Sequence, residues 1–428
     1  MKKTKSFLCG VAFLMGSLPA LVACGNQEKH DYWVNVWCDK KIQKLTTSQA
    51  KEWAKEMKDA GYDVGIKVNP VGEATAASNM ISDTEGGADV FCFAQDQLSR
   101  LRSAGALDEI VDEATKNQIR TENDAASYAA ATIGDSLVAY PLTSDNTFFM
   151  YYDKSFFTDV NDLKDLETIF AKCEAANKKV HFPLKDAWYS ASVFYGFGCE
   201  SEWKCNPDGT FYDVVDTYAT SDGIKACKAI YNFVNKYKGT IEYDNNVSTA
   251  FAHKPGEAPQ GAVCVSGTWD YADAVSYLGE NMGAIELPTV TVEGESVQLK
   301  PFIGCKLIGV KPHKDATQGA LSHLLAKRLV NKESQLARAE QFGWGPSNLE
   351  AQQDPIVTNN EVLKTVSAEK EYAVVQGQYP GDWWSTAAAI SESLSSDECT
   401  GSEAEIKEML RKYKSTIASF INGLPPEE

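Results

Sequence analysis

Aromatic rings set at turns beside acidic residues are the part of this chain best suited to chemistry. Trp269 follows Ser266-Gly267-Thr268, Trp383 and Trp384 follow Tyr379-Pro380-Gly381-Asp382, and Trp188 and Tyr189 follow Lys185-Asp186-Ala187. Turns of this composition push the next side chain off the end of an element. Asp39, Lys40, Asp96, Asp145 and Asp186 fall near predicted strand ends or connections, where the aromatics could converge on them. A flat ring matches the C–H face of a pyranose, and carboxylates match its hydroxyl rim with charge-assisted hydrogen bonds. The same residues taken singly also fit half-buried packing aromatics and solvated surface acids.

Motifs for catalysis are scarce. His30, His181, His253, His313 and His323 are scattered without HExxH spacing, which disfavours a zinc site, and no metal or cofactor is expected. There is no GxGxxG, no P-loop and no GxSxG. Acids are so abundant that a pair of carboxylates is not evidence for glycoside cleavage.

The elements that must position these residues alternate between strand and helix. Tyr32 to Trp37 alternates like a strand, Ser48 to Gly61 has amphipathic helical spacing, and Val64 to Val68 is a second strand. Ala88 to Phe93 reads as a buried strand, followed by a helix from Gln97 to Ala104. The rhythm restarts at Asp162, runs through a strand at Gly261 to Ser266 and a β-rich stretch from Met282 to Val310, and ends in long helices at Thr317 to Phe342 and Glu403 to Phe420. This is an α/β fold with mostly parallel sheets flanked by helices, and ligands in such sheets bind beyond the carboxyl ends of the strands.

At the N-terminus, Lys2, Lys3 and Lys5 precede an apolar run from Phe7 to Val22 that Gly10, Gly16 and Pro19 interrupt. That pattern is a secretion signal. The run Leu21-Val22-Ala23-Cys24 resembles a bacterial lipobox, which implies a lipid on Cys24, cleavage after residue 23 and anchoring on the outer face of a membrane. No later segment reaches the ~18 uninterrupted apolar residues that a membrane helix needs. Cleavage would leave 405 of the 428 residues, and removing three lysines and no acid would take the net charge from -18 to -21. Such a field repels nucleic acid. Nine cysteines follow Cys24, several in apolar runs; spacing permits a disulfide between Cys199 and Cys205 and equally permits free thiols.

Gly87-Ala88-Asp89-Val90-Phe91-Cys92-Phe93-Ala94-Gln95-Asp96, Leu137-Val138-Ala139-Tyr140-Pro141-Leu142 and Tyr151-Tyr152-Asp153-Lys154 resemble segments of the extracellular solute-binding proteins of ABC importers, of the maltose and maltodextrin-binding type. The resemblance runs along nearly the whole chain beyond the signal. It implies two lobes joined by a hinge, with residues 31–143 and 303–344 in one, 144–302 and 345–424 in the other, and a lipidated leash at 24–30. It also implies a monomer that binds a carbohydrate without transforming it and passes it to the permease subunits. The ligand-binding residues so implied are Asp39, Lys40, Asp96, Gln97, Asp145 or its neighbour Asn146, Asp186, Trp188, Trp269, Tyr271, and Trp383 or Trp384. Gln97 stands where maltose binders often carry Arg, which leaves a disaccharide, a linear oligosaccharide such as a maltodextrin, and other glycans open. Two rival readings are a surface glycoside hydrolase, and the same fold binding a peptide, polyamine or metal chelate.

Overall fold

The structure, a computed structural model, describes residues 29–422. The signal, Cys24 and most of the leash lie outside the described residues.

The first sheet grows from one strand, helix, strand unit. Strand Tyr32–Cys38 pairs in parallel with Val64–Pro70 on one side and Val90–Ala94 on the other. The intervening helix spans Gln43–Asp59, burying Thr46, Gln49, Ala50 and Trp53 along one face. Gly61, at φ +96°, then turns the chain through a backbone conformation that side chains with a Cβ resist. Two later segments complete the sheet: Lys306–Val310 runs antiparallel to Val90–Ala94, and Tyr140–Pro141 lies outside it.

The second sheet is organised by Asn146–Asp153, a strand buried at every residue. Successive side chains of a strand point to opposite faces. Phe148, Met150 and Tyr152 therefore enter one core, while Phe149 and Tyr151 enter another on the far side. Gly261–Gly267, Met282–Ile285 and Phe302–Gly304 all run antiparallel to this strand. Parallel pairing is confined to Lys179–His181 with its two neighbours and to Phe302–Gly304 with Val374–Val375. Both sheets are thus mixed rather than mostly parallel. In each, the strand that enters from a crossing, Lys306–Val310 or Asn146–Asp153, meets a strand of the parallel set from the opposite direction.

The cores divide accordingly. One draws on residues from Val34 to Leu142 and from Cys305 to Trp344, the others on residues from Phe148 to Phe302 and from Val362 to Ile417. The chain passes from one sheet to the other between Pro141 and Asn146, and again at Cys305. A third crossing follows Gly343, where Gly345 accepts a hydrogen bond from the amide of Ser144 at 3.0 Å.

One expectation is corrected and one open alternative is decided. The long helix at 317–342 is two, Ala316–Leu329 and Lys332–Phe342, because Asn331 stops the first and caps the second by accepting from Ser334 N. All nine described cysteines are free, Cys199 and Cys205 included. The extended strand Ser201–Cys205 separates them: at ~3.3 Å per residue it carries Cys205 well past the ~7 Å Cα limit for a disulfide.

Candidate functional site

Between the two sheets lies a cavity of about 1000 Å³. Its first wall begins where strand Tyr32–Cys38 ends. Asp39 Oδ1 accepts from the amide of Lys41 at 2.7 Å, a tight turn that leaves Asp39 facing the cavity and sends Lys40 into solvent. Lys40 is therefore not a lining residue. Lys41 takes that place and crosses to the opposite wall, where its ammonium donates to Trp269 O at 2.8 Å and Asp270 Oδ1 at 2.5 Å and pairs with Asp273 Oδ2 at 2.9 Å.

Asp96 and Gln97 follow strand Val90–Ala94 on a single 3₁₀ turn, and both line the cavity. Their tasks differ. Gln97 is spent on the helix Glu73–Ser82: its Nε2 donates to Glu73 O at 3.0 Å and its Oε1 accepts from Ala77 N at 3.3 Å. Asp96 is almost wholly enclosed, and burial pushes its carboxyl up to about 7 against the opposing pull of Arg100 and of hydrogen bonds from the Trp384 and Gln376 side chains.

On the opposite wall, Asp186 caps the helix Ala187–Gly196 by accepting from Trp188 N at 2.8 Å. The cap places Trp188 on the first turn, where it stacks on Phe302 at 4.9 Å between ring centroids. Burial raises the Asp186 carboxyl above its ordinary range. Tyr189 lies beside Trp188 in the lining and accepts from Asn245 Nδ2 at 2.8 Å. Trp269 leans back over Gly267, where a Cβ would come within 2.2 Å of the indole.

The tryptophan doublet is resolved by helical geometry. Consecutive residues on the helix Trp383–Leu394 point about 100° apart. Trp384 lines the cavity. Trp383 is fully buried, and its Nε1 donates to Tyr413 Oη at 3.0 Å.

Two more expected residues stand elsewhere. Tyr271 packs against Gly343 at the third crossing and does not line the cavity. Asp145 is buried between crossings: its Oδ2 accepts from Thr268 Oγ1 and from Gly345 N, both at 2.6 Å. Its neighbour Asn146 is the lining residue. Asn146 opens the strand while Asp145 still belongs to the crossing, held there by Thr268 and Gly345, which is why the two part company.

Glu73, Arg100, Lys306, Gln376 and the segment 243–246 line the cavity without having been picked out from sequence. Glu73 opens a helix that follows a strand end, and an acid at a helix N-terminus was a readable signal. Lys306 interrupts an apolar strand, an equally readable anomaly. Gln376 and residues 243–246 sit in connections with no periodic pattern to mark them.

A family model described as bacterial extracellular solute-binding protein matches residues 48–365. Among solved structures, the maltodextrin-binding protein MalE1 of L. casei BL23 superposes with a TM-score of 0.71 at 22% identity, covering 91% of this chain and 98% of that one. The maltose/maltodextrin-binding domain MalE of Bdellovibrio bacteriovorus, bound to maltotriose, gives 0.73 at 17% identity, covering 90% and 100%. The maltotriose-binding protein of Thermus thermophilus gives 0.72 at 17% identity, again over 90% and 100%. At these identities the likeness is one of fold.

Proposed function

The chain belongs to the bacterial extracellular solute-binding proteins, and from that premise we propose that its solute is an oligosaccharide such as a maltodextrin, captured between the two sheets and delivered to an ABC importer permease. The observation that carries this reading is the convergence of Trp188, Trp269 and Trp384 on one cavity whose remaining lining is rich in carboxylates and amides. Stacked rings contribute about 1 kcal/mol each beyond area burial, and carboxylates supply strong acceptors for hydroxyls. The solved relatives named for maltodextrin and maltotriose support the choice of sugar.

Binding without chemistry is the role in this reading: the sugar leaves as it entered. Closure of the two walls around it gives the permease a form to recognise. The run Leu21-Val22-Ala23-Cys24 supports attachment of a lipid at Cys24, which keeps the trap near its permease.

A thermal-shift screen of the purified protein against neutral oligosaccharides tests the proposal, because a ligand that binds only the native state raises the melting temperature. Maltotriose is expected to raise it and to be recovered intact. Cleaved sugar would favour a hydrolase, and no shift with any sugar would refute the assignment.

A further inference from the structure

We propose that Lys306 sets what this cavity accepts: its ammonium, held against two indole rings without a hydrogen-bond acceptor of its own, donates to the oxygens of a neutral sugar while the surrounding carboxylates turn acidic sugars away. The proposal rests on the oligosaccharide reading and adds to it a deciding residue and a ligand class.

The backbone fixes where this side chain starts. Lys306 pairs with Ala94 across the first sheet, and its carbonyl accepts from Leu142 N at 2.9 Å and Thr143 N at 3.2 Å. Cys305 and Leu307 on either side belong to the first core, so alternation along the strand turns Lys306 to the cavity. Only 4% of the residue is exposed. Its Nζ lies 3.8 Å from the ring centroid of Trp344 and 5.5 Å from that of Trp269.

An ammonium carries three donors and no acceptor. Indole faces attract the charge, but they do not replace oxygen lone pairs. Among the described residues no hydrogen bond or ion pair engages this Nζ. The side chain is mostly covered, so only the cavity itself is left to supply acceptors to these three donors. Ring and hydroxyl oxygens of a sugar lying along Trp269 would provide them, so part of the ligand's binding free energy comes from completing a shell that the protein leaves open.

An acidic sugar could offer stronger acceptors, but the rest of the lining opposes it. Carboxylates outnumber cations there by seven to three. Lys41 is already engaged by Asp270 and Asp273, and Arg100 faces Asp96. Glu73 is close enough to Lys306 to feel its charge and has a buried Oε1 with no partner. A sugar carboxylate brought to Lys306 would be repelled by the acids around it, Glu73 among them, whereas a neutral sugar accepts from Lys306 without that repulsion.

The test is calorimetric titration of the mature protein, Lys306→Met and Lys306→Gln with maltotriose and with trigalacturonic acid, alongside melting of each unliganded form. The wild type is expected to bind maltotriose and to give no heat with trigalacturonic acid. Lys306→Met should weaken maltotriose at least tenfold with an unchanged melting temperature, since Nζ makes no hydrogen bond or ion pair within the described residues and an apolar chain of similar length keeps the packing. Maltotriose affinity within twofold of wild type in both variants would overturn the assignment to Lys306. Melting temperatures that fall together with affinity in both variants would overturn it too, as the mark of a structural lysine. Preference of the wild type for trigalacturonic acid would overturn the ligand class. Failure of the wild type to bind any neutral oligosaccharide would instead bring down the oligosaccharide reading on which the proposal stands.

Discussion

Lys41 and Asp270 meet at 2.5 Å across the cavity, the first on the turn after strand Tyr32–Cys38 and the second on the turn after strand Gly261–Gly267. Each turn belongs to a different sheet, so the pair ties one wall to the other. Burial works against the Lys41 charge, but Asp270 and Asp273 outweigh it and hold its pKa above the ordinary lysine value. Because the same ammonium holds the carbonyl of Trp269, the link also sets where that indole stands.

Lys41→Met removes the link. With about 1 kcal/mol of coupling lost, maltotriose affinity should fall about fivefold, since a smaller fraction of molecules is ready to bind. Small-angle scattering of the unliganded variant should show a larger radius of gyration than wild type. Equal radii would mean that the pair does not hold the walls together.

The two tryptophans of the doublet should fail differently. Trp383→Ala empties a core position and breaks the bond to Tyr413, at a cost of about 3–5 kcal/mol in denaturant unfolding. Trp384→Ala should weaken maltotriose about tenfold, or ~1.4 kcal/mol, with a smaller stability loss. The reverse pattern would misplace the cavity face of this helix.

Gly267→Ala should mimic the loss of Trp269. The added Cβ would stand 2.2 Å from the indole and 2.6 Å from Thr147 O, so the ring must leave its position. Both Gly267→Ala and Trp269→Ala should therefore cost about tenfold in calorimetric affinity, ~1.4 kcal/mol each. Full affinity in Trp269→Ala would remove that ring from the site.

Asp145→Ala strands the amide of Gly345 and the hydroxyl of Thr268, two donors now held at 2.6 Å. Unsatisfied buried donors cost about 1–3 kcal/mol each, so urea unfolding should register about 3 kcal/mol. Asn146→Ala should leave stability nearly unchanged and lower affinity. Equal stability of Asp145→Ala and wild type would show that the crossings do not depend on this carboxylate.

Glu369 gives a pH signature away from the cavity. Burial pushes its carboxyl up to about 8 from an ordinary 4.5, while the amide of Leu287 donates to it at 2.9 Å. The native state then holds the proton more tightly than the unfolded chain. The stabilisation is complete below about pH 4.5 and is lost as pH rises through about 8. Glu369→Gln should remove this component, so the stability of wild type minus that of the variant should fall between pH 5 and 8. A difference flat with pH would show the carboxyl to be ionised throughout.

Much of the fold was legible because it depends on local periodicity. The strand at Tyr32, the helix behind it and the glycine stop at Gly61 follow from alternation and capping, which neighbours in sequence decide. The direction of the later strands was not legible. Met282–Ile285 and Phe302–Gly304 lie antiparallel to Asn146–Asp153, the strand that enters the second sheet directly from the first crossing, and that pairing spans more than a hundred residues of chain. The single helix expected at 317–342 hid a cap at Asn331, where the chain leaves helical geometry for one residue.

In the site, Asp39, Asp96, Trp188 and Trp269, picked out at strand ends and turns, all line the cavity. Neighbours could not be told apart. Lys40 against Lys41, Asp145 against Asn146 and Trp383 against Trp384 differ by one position in sequence and by a whole face in space. That difference is set by a turn hydrogen bond, the start of a strand or a helix rotation.

By itself, then, the sequence determined the alternation of elements, the turn-borne aromatics and the excess of acids, because these are properties of short windows and of composition. Only the tertiary structure decided which member of each adjacent pair faces the cavity and that Glu73, Gln376 and Lys306 join them. Those residues come from separate stretches of the chain, and their meeting depends on long-range pairing and on the crossings between two sheets, which no local pattern encodes.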